Sequence, residues 1–215
     1  MLTNLTTIFV SSFIIALSGA MMPGPLLTVT ISESSQRGFV AGPLVIIGHA
    51  ILEMALVFSL LTGLAPFFQQ PLVFAMSALI GAAILFGMAF GMFRSLPSLR
   101  FSWERDQKRR NHPIVSGILM SVANPYWIIW WATIGLGYTL YSWQFGFWGI
   151  AFFFVGHILA DLAWYSLVAA AVAGGRRFLT DRIYRNLIAV CAVFLIVFAG
   201  YFVYAGIEKL KTIIS

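Results

Sequence analysis

Two histidine–acid pairs stand where charge is expensive. The sequence has three histidines and seven acids, and of these only His49, Glu53, His157 and Asp161 fall inside long apolar runs. A spacing of i to i+4 puts His49 with Glu53, and His157 with Asp161, on one helical face. Ionisable groups in an apolar span ordinarily face a polar cavity or each other. Two imidazoles and two carboxylates can relay protons, hold a cationic group of a substrate, or coordinate a divalent metal. A plainer reading makes each pair an internal hydrogen bond that locks helix packing. Residue type and spacing leave all four open.

The surroundings of these pairs are those of a membrane protein. Sixty per cent of the 215 residues are hydrophobic, 9% are charged, and mean hydropathy is +0.93, well outside the balance of a soluble domain. Hydropathy and punctuation predict six spans, over 5–31, 39–65, 71–93, 113–140, 146–173 and 187–207, each long enough for a hydrocarbon core of about 30 Å. Runs this long are unlike barrel strands, and a backbone in lipid must satisfy its own hydrogen bonds. The expected fold is an all-α integral membrane protein forming one transmembrane domain over residues 1–215. Met1 to Thr7 carries no Lys or Arg, so the first run reads as a retained span rather than a signal peptide. Counted from the span ends at about 1.5 Å per residue, His49 and His157 each lie roughly 15 Å deep.

Charge sets the expected orientation, since Lys and Arg accumulate in cytoplasmic loops. Arg37, the six basic residues Arg94, Arg100, Arg105, Lys108, Arg109 and Arg110, and the four at Arg176, Arg177, Arg182 and Arg185 all fall on one face. Only Lys209 and Lys211 fall on the other. Loops 94–112 and 174–186 are therefore predicted cytoplasmic and both termini external. Lys108-Arg109-Arg110 could also bind anionic lipid or a partner protein. The net charge of +6 and pI near 9.8 come with no RNA-binding signature, so nucleic acid is not an expected partner. Cys191 is the only cysteine, which excludes a disulfide or redox pair within one chain.

An offset of 108 residues aligns Gly48-His49 with Gly156-His157, Glu53 with Asp161, and Gly38-Phe39 with Gly146-Phe147. A Gly-His followed by an acid four residues later is more telling than matched Leu and Phe. Repeat 1 then spans about 5–93 and repeat 2 about 113–207. Three spans per half force the halves into opposite orientations, the inverted plan of many secondary transporters, and the two pairs should converge. Backbone breaks fall in the first and fourth spans, at Pro23-Gly24-Pro25 and Asn124-Pro125. Proline removes a donor and clashes with the preceding turn, and matched interruptions point to a transport site built from freed backbone groups. The alternative is a pair of kinks that shape the bundle. Pro43 is tolerable in the first turn of the second span.

Other features take structural readings. Gly87 and Gly91 form a GxxxG that more often packs a bundle than makes a dimer. Trp127, Trp130, Trp131, Trp143 and Trp148 read as an aromatic belt near span four. Trp164 and Tyr165 read as core before they read as a cation–π wall. Glu33 and Arg37 could pair after the first span, with a solvated loop as the default. The sequence has no P-loop, nucleophile elbow or HExxH motif, so an enzyme is the weaker class and no cofactor is expected.

The stretch SGAMMPGPLLTVTISESSQRGFVAGPLVIIGHAILE resembles the LysE family of translocators, exporters of amino acids in prokaryotes. The resemblance covers nearly the whole chain. It maps the family's Pro-Gly-Pro onto Pro23, Gly24 and Pro25, its Asn-Pro onto Asn124 and Pro125, and its second-span acid onto Glu53. Many members carry an aspartate directly after the second-span glycine, where this chain has His49. The resemblance implies a multi-pass protein of the prokaryotic cytoplasmic membrane that exports an amino acid or similar zwitterion, with proton coupling as the expected driving force. Pro23, Gly24, Pro25, His49, Glu53, Asn124, Pro125, His157 and Asp161 are the candidate substrate or ion site. Two alternatives stay open: a divalent metal exporter using His49, Glu53, His157 and Asp161, and a membrane scaffold that recruits partners through 94–112. Expected partners are the small solute, the bilayer and, as one option, a second copy of the chain.

Overall fold

The computed structural model describes residues 2–68, 70–97, 112–175 and 180–214. Arg100, Arg105, Lys108, Arg109, Arg110, Arg176 and Arg177 lie outside them, and with them the lipid or partner reading of Lys108-Arg109-Arg110. The described residues form helices, turns and short connectors without a strand.

Helix α1 (Leu2–Ala20) stops where the Pro-Gly-Pro segment begins. Gly24 is fully extended, at φ −161° and ψ −169°, as a residue before proline prefers, and Pro25 opens α2 (Pro25–Arg37) at a position that needs no N–H. Gly38 ends α2 at φ 77°, a conformation that favours glycine, and its N–H bonds Ser34 O at 2.9 Å. Next come α3 (Ala41–Ser59), a π-helical turn (Leu60–Leu64) kinked at Gly63, and α4 (Ala65–Phe68). Helix α5 (Pro71–Ser95) completes the first half. In the second, α6 (Pro113–Val122) breaks at Asn124 into α7 (Pro125–Trp130), which continues through a π turn (Trp131–Gly135) into α8 (Leu136–Trp143). The chain bends by 67° between α6 and the α7–α8 segment. Helices α9 (Gly146–Gly174) and α10 (Asp181–Ile214) follow.

Among the described residues, five helices are long and apolar enough to cross a membrane, and the bent α6–α8 pair makes a sixth span if counted as one. The expected spans need two corrections. The first does not run to residue 31: the apolar helix ends at Ala20, and α2, rich in Ser with Glu33 and Arg37, is too polar to count as its continuation. The last is longer than 187–207 and runs from Asp181 to Ile214.

Packing crosses between the halves. Helix α1 lies along α9, α3 along α6, and α5 along α10, while α2 fits against α3, α6 and α9. Glycines set two of these crossings. A Cβ on Gly48 would overlap the carbonyl of Ile114 on α6, and one on Gly156 would sit 2.6 Å from Phe9 O on α1. The residue before each site histidine is thus where a helix of the other half passes. Alanines do the same for the outer pair: Ala78, Ala82 and Ala89 on α5 meet Ala192 and Ala199 on α10, the close small-residue packing usual in membranes. The GxxxG takes no part in it. Gly87 and Gly91 are exposed, and a Cβ on either would meet nothing within 4 Å, so the expectation that the motif packs the bundle is corrected.

Candidate functional site

The four ionisable side chains meet in the interior. His49 and Glu53 come from α3 and His157 and Asp161 from α9, and all are at most 5% exposed. His49 Nε2 lies 3.0 Å from Glu53 Oε1 and 3.5 Å from Asp161 Oδ2. His157 Nε2 lies 3.0 Å from Glu53 Oε2 and 3.4 Å from Asp161 Oδ2. Each histidine therefore touches both acids, its own helical partner and the one from the other half. The i to i+4 spacing accounts for two of the contacts; the side-by-side placement of α3 and α9 supplies the other two.

Three further donors or acceptors fix the cluster. Trp127 and Trp131 donate their indole N–H groups to Glu53 Oε1 at 3.0 and 2.8 Å. Ser121 Oγ is 2.6 Å from His49 Nδ1 and donates its own proton to Gly117 O at 2.7 Å. A hydroxyl has one proton to give, so Nδ1–H of His49 donates to Ser121 and Nε2 faces the carboxylates. His157 is held differently: its Nδ1 has no hydrogen-bond partner, and its ring lies 4.8 Å from Trp130, 5.5 Å from Trp131 and 6.0 Å from Phe153 between centroids. Glu53 Oε2 and Asp161 Oδ2 stand at ion-pair distance from the imidazoles without an aligned hydrogen bond. Two buried carboxylates facing ring nitrogens require positive charge between them, whether protons or another cation.

A small cavity opens beside the cluster, lined by all four of these side chains together with Gly24, Asn124, Tyr126, Trp127, Trp130 and Tyr165. No lysine or arginine is among its described lining residues. Both backbone breaks reach it, and they face each other: a Cβ on Gly24 would lie 3.7 Å from Asn124 Nδ2. They differ in one respect. Asn124 caps α7, with Oδ1 accepting Tyr126 N–H at 3.1 Å and its carbonyl accepting Trp127 N–H at 3.0 Å. Helix α2 has no side-chain cap, so its first-turn N–H groups at Leu26 and Leu27 are donors without an intrahelical partner. Of the prolines, Pro25 is buried as the first residue of α2, and Pro23 is not part of the cavity wall; the start of α7 falls at Pro125.

Sequence reasoning missed Ser121, Trp127, Trp130 and Trp131. The last three were read as an aromatic belt, yet Trp130 and Trp131 are 7% and 2% exposed, against 53% and 57% for Trp143 and Trp148. The available signal was the i to i+4 spacing of Trp127 and Trp131 directly after the Asn-Pro break, which turns both indoles to one side. Tyr165 is buried in the cavity wall, and Trp164 is not part of that wall. Glu33 is not in a solvated loop: it is buried in the last turns of α2 with Arg37 Nε at 2.7 Å.

Long apolar helices packed around a buried polar cluster, with broken helices at its edge, define a multi-pass membrane transporter. A family model, LysE type translocator, matches residues 17–206, and the chain belongs to that family. Members of this family are transporters rather than enzymes. No curated protein and no solved structure matches the chain.

Proposed function

We propose that the chain exports an amino acid or similar small zwitterion across a prokaryotic cytoplasmic membrane, coupled to protons, with both termini outside and loops 94–112 and 174–186 in the cytoplasm. The observation that carries this reading is the meeting of Glu53, Asp161, His49 and His157 beside a cavity that both broken helices reach. A zwitterion needs a place for each charge. Glu53 and Asp161 suit its ammonium group, and the rings of Tyr126 and Trp130 flank that position. With no lysine or arginine in the described wall and both imidazoles facing the acids, the carboxylate goes to the uncapped start of α2, where N–H groups and the helix dipole favour an anion. Asn124 Nδ2, close to Gly24, is a second donor there.

The duplicated Gly-His and following acid, together with the cross-half pairing of α1 with α9 and α3 with α6, support an inverted repeat. Rocking of the two halves about the shared cluster would then expose it to either side in turn. Protons exchange on the two acids and two imidazoles as it does so.

Counterflow in proteoliposomes with a mixture of radiolabelled amino acids tests the reading, comparing the wild type with Glu53→Gln and Asp161→Asn. Uptake of one substrate class that both substitutions abolish in folded protein, and that collapse of the pH gradient stops, is the expected result. Wild-type function that survives both substitutions would move the weight to the scaffold alternative.

A further inference from the structure

We infer that His49, Glu53, His157 and Asp161 form a closed four-coordinate site for a borderline divalent transition metal such as Zn²⁺, and that the bound ion blocks the transport centre instead of passing through it.

The argument starts from distances. Zinc is held by imidazole nitrogen at about 2.0–2.1 Å and by carboxylate oxygen at about 2.0–2.2 Å, usually as a tetrahedron. The edge of a tetrahedron is about 1.6 times its centre-to-corner length, so neighbouring donor atoms of such a site lie roughly 3.3–3.5 Å apart. With Glu53 Oε2 and Asp161 Oδ2 as the oxygens, three nitrogen-to-oxygen separations are 3.0, 3.4 and 3.5 Å, close to such an edge. One donor atom from each of the four residues falls within 4.8 Å of the others, so binding draws the set together by about an ångström at its widest. Ordinary hydrogen bonds would also bring nitrogen and oxygen this close, but they would be aligned. Glu53 Oε2 and Asp161 Oδ2 are not aligned with a donor. Both are buried and near the imidazoles, with lone pairs left over for a cation.

Donor chemistry agrees. Two imidazoles and two carboxylates make a mixed nitrogen–oxygen set suited to borderline ions rather than to calcium or magnesium. The supporting contacts are those of a metal site. Ser121 accepts a hydrogen bond from Nδ1–H of His49, which leaves the Nε2 lone pair facing inward. The two indoles hold Glu53 from behind through Oε1. Outer partners of this kind orient the ligands of metal centres.

Retention follows from closure. Structural zinc sites fill all four positions with protein, whereas catalytic sites keep one open for water or substrate. Here the protein fills all four, from two helices that belong to different halves. An ion bound to both would tie α3 to α9. Binding itself does not depend on the transport reading; the block does, since it assumes that the same acids serve the substrate.

The test uses the full chain, purified in detergent and stripped of metal, with Co²⁺ and then Zn²⁺ as the probes. Cobalt should bind at one ion per chain with the intense visible bands of four-coordinate geometry, and Zn²⁺ should displace it. Ser121→Ala, which leaves all four ligands in place, should weaken Zn²⁺ binding about 10–100-fold. His157→Gln should abolish the cobalt bands, and size-exclusion chromatography reports whether that variant is folded. If His157→Gln does not fold, the Ser121→Ala shift and the wild-type spectrum decide the matter. Weak octahedral bands, or binding that Ser121→Ala leaves unchanged, would overturn the site. In proteoliposomes, Zn²⁺ should inhibit amino-acid counterflow without entering the vesicles; vesicular accumulation of zinc would overturn the block and make the ion a cargo. A failed counterflow with an intact cobalt site would count against the transport reading alone.

Discussion

Glu53 Oε2 stands 3.0 Å from His157 Nε2, a contact between α3 in the first half of the chain and α9 in the second. The other oxygen of the same carboxylate takes two indole N–H groups and faces His49. Glu53 is thereby the most heavily contacted member of the cluster. Asp161 reaches the same imidazoles only at 3.4 and 3.5 Å. The two acids, equivalent by the 108-residue offset, are not equivalent in their surroundings.

Trp131→Phe removes a 2.8 Å donor from a buried carboxylate and leaves the packing surface largely intact. Hydrogen bonds to charged groups contribute about 1.5–3 kcal/mol, so the variant should unfold at a clearly lower temperature in detergent. Asp161→Asn, whose side chain makes no aligned bond through Oδ2, should cost less stability and at least as much transport. Thermal unfolding beside counterflow separates the two; equal loss of stability in both variants would contradict the asymmetry.

Gly48→Ala puts a methyl group into the backbone of α6, and Gly156→Ala puts one against Phe9 O. Both should lower thermal stability or the yield of folded protein, because a backbone carbonyl cannot move aside as a flexible side chain can, and Gly48→Ala the more severely, because its methyl overlaps Ile114 O more deeply than that of Gly156→Ala overlaps Phe9 O. Gly87→Ala on α5 meets nothing within 4 Å and gains about 1 kcal/mol of helix propensity. Its monomer should be as stable as the wild type or slightly more so. A stable Gly48→Ala protein would show that α3 and α6 do not cross as described.

Asn124→Ala deletes the cap of α7, which costs about 1 kcal/mol at a typical N-terminus, and Asn124→Asp keeps the accepting oxygen. Because α7 carries Trp127 to Glu53, losing the cap should also impair transport. The aspartate variant should recover the stability, and it should still transport poorly, since it places a negative charge where the substrate carboxylate is proposed to bind. Full transport by Asn124→Asp would remove Asn124 from that role.

Gly24 is extended rather than left-handed, and a Cβ there would sit at ordinary contact distance, 3.7 Å from Asn124 Nδ2. Gly24→Ala should therefore fold normally and narrow the gap between the two breaks. Concentration-dependent counterflow should show a raised half-saturation point for substrate with little change in thermal stability. An unchanged half-saturation point would place the substrate elsewhere in the cavity.

Much of this was readable in the residues themselves. Apolar run length gave the spans, because lipid imposes a simple length criterion, and proline chemistry gave both breaks. The four ionisable residues stood out because so few others lie in apolar surroundings. What escaped was sidedness. Trp127 and Trp131 carry the same amphipathic ring whether it faces the lipid interface or a buried carboxylate, and only the bend after Asn124 decides which. Ser121 was invisible for a similar reason, since a serine in a membrane helix usually bonds its own backbone, and this one does so while also accepting from His49. The end of the first span was misjudged because hydropathy runs on past Pro25 to Ile31, whereas α1 ends at Ala20 and a separate helix starts at Pro25 and turns polar after Ile31.

The pairing of α1 with α9 and of α3 with α6 bears on how the protein is made. When the first half has left the ribosome, His49 and Glu53 are already in the bilayer, but His157, Asp161, Trp127, Trp131 and Ser121 have yet to be synthesised. The acid must wait among lipids or insertion machinery for partners that arrive a whole repeat later. Assembly therefore cannot proceed one half at a time. Two separately expressed fragments, divided within 98–111, should each be unstable alone and should reconstitute the bundle only when produced together in the same membrane.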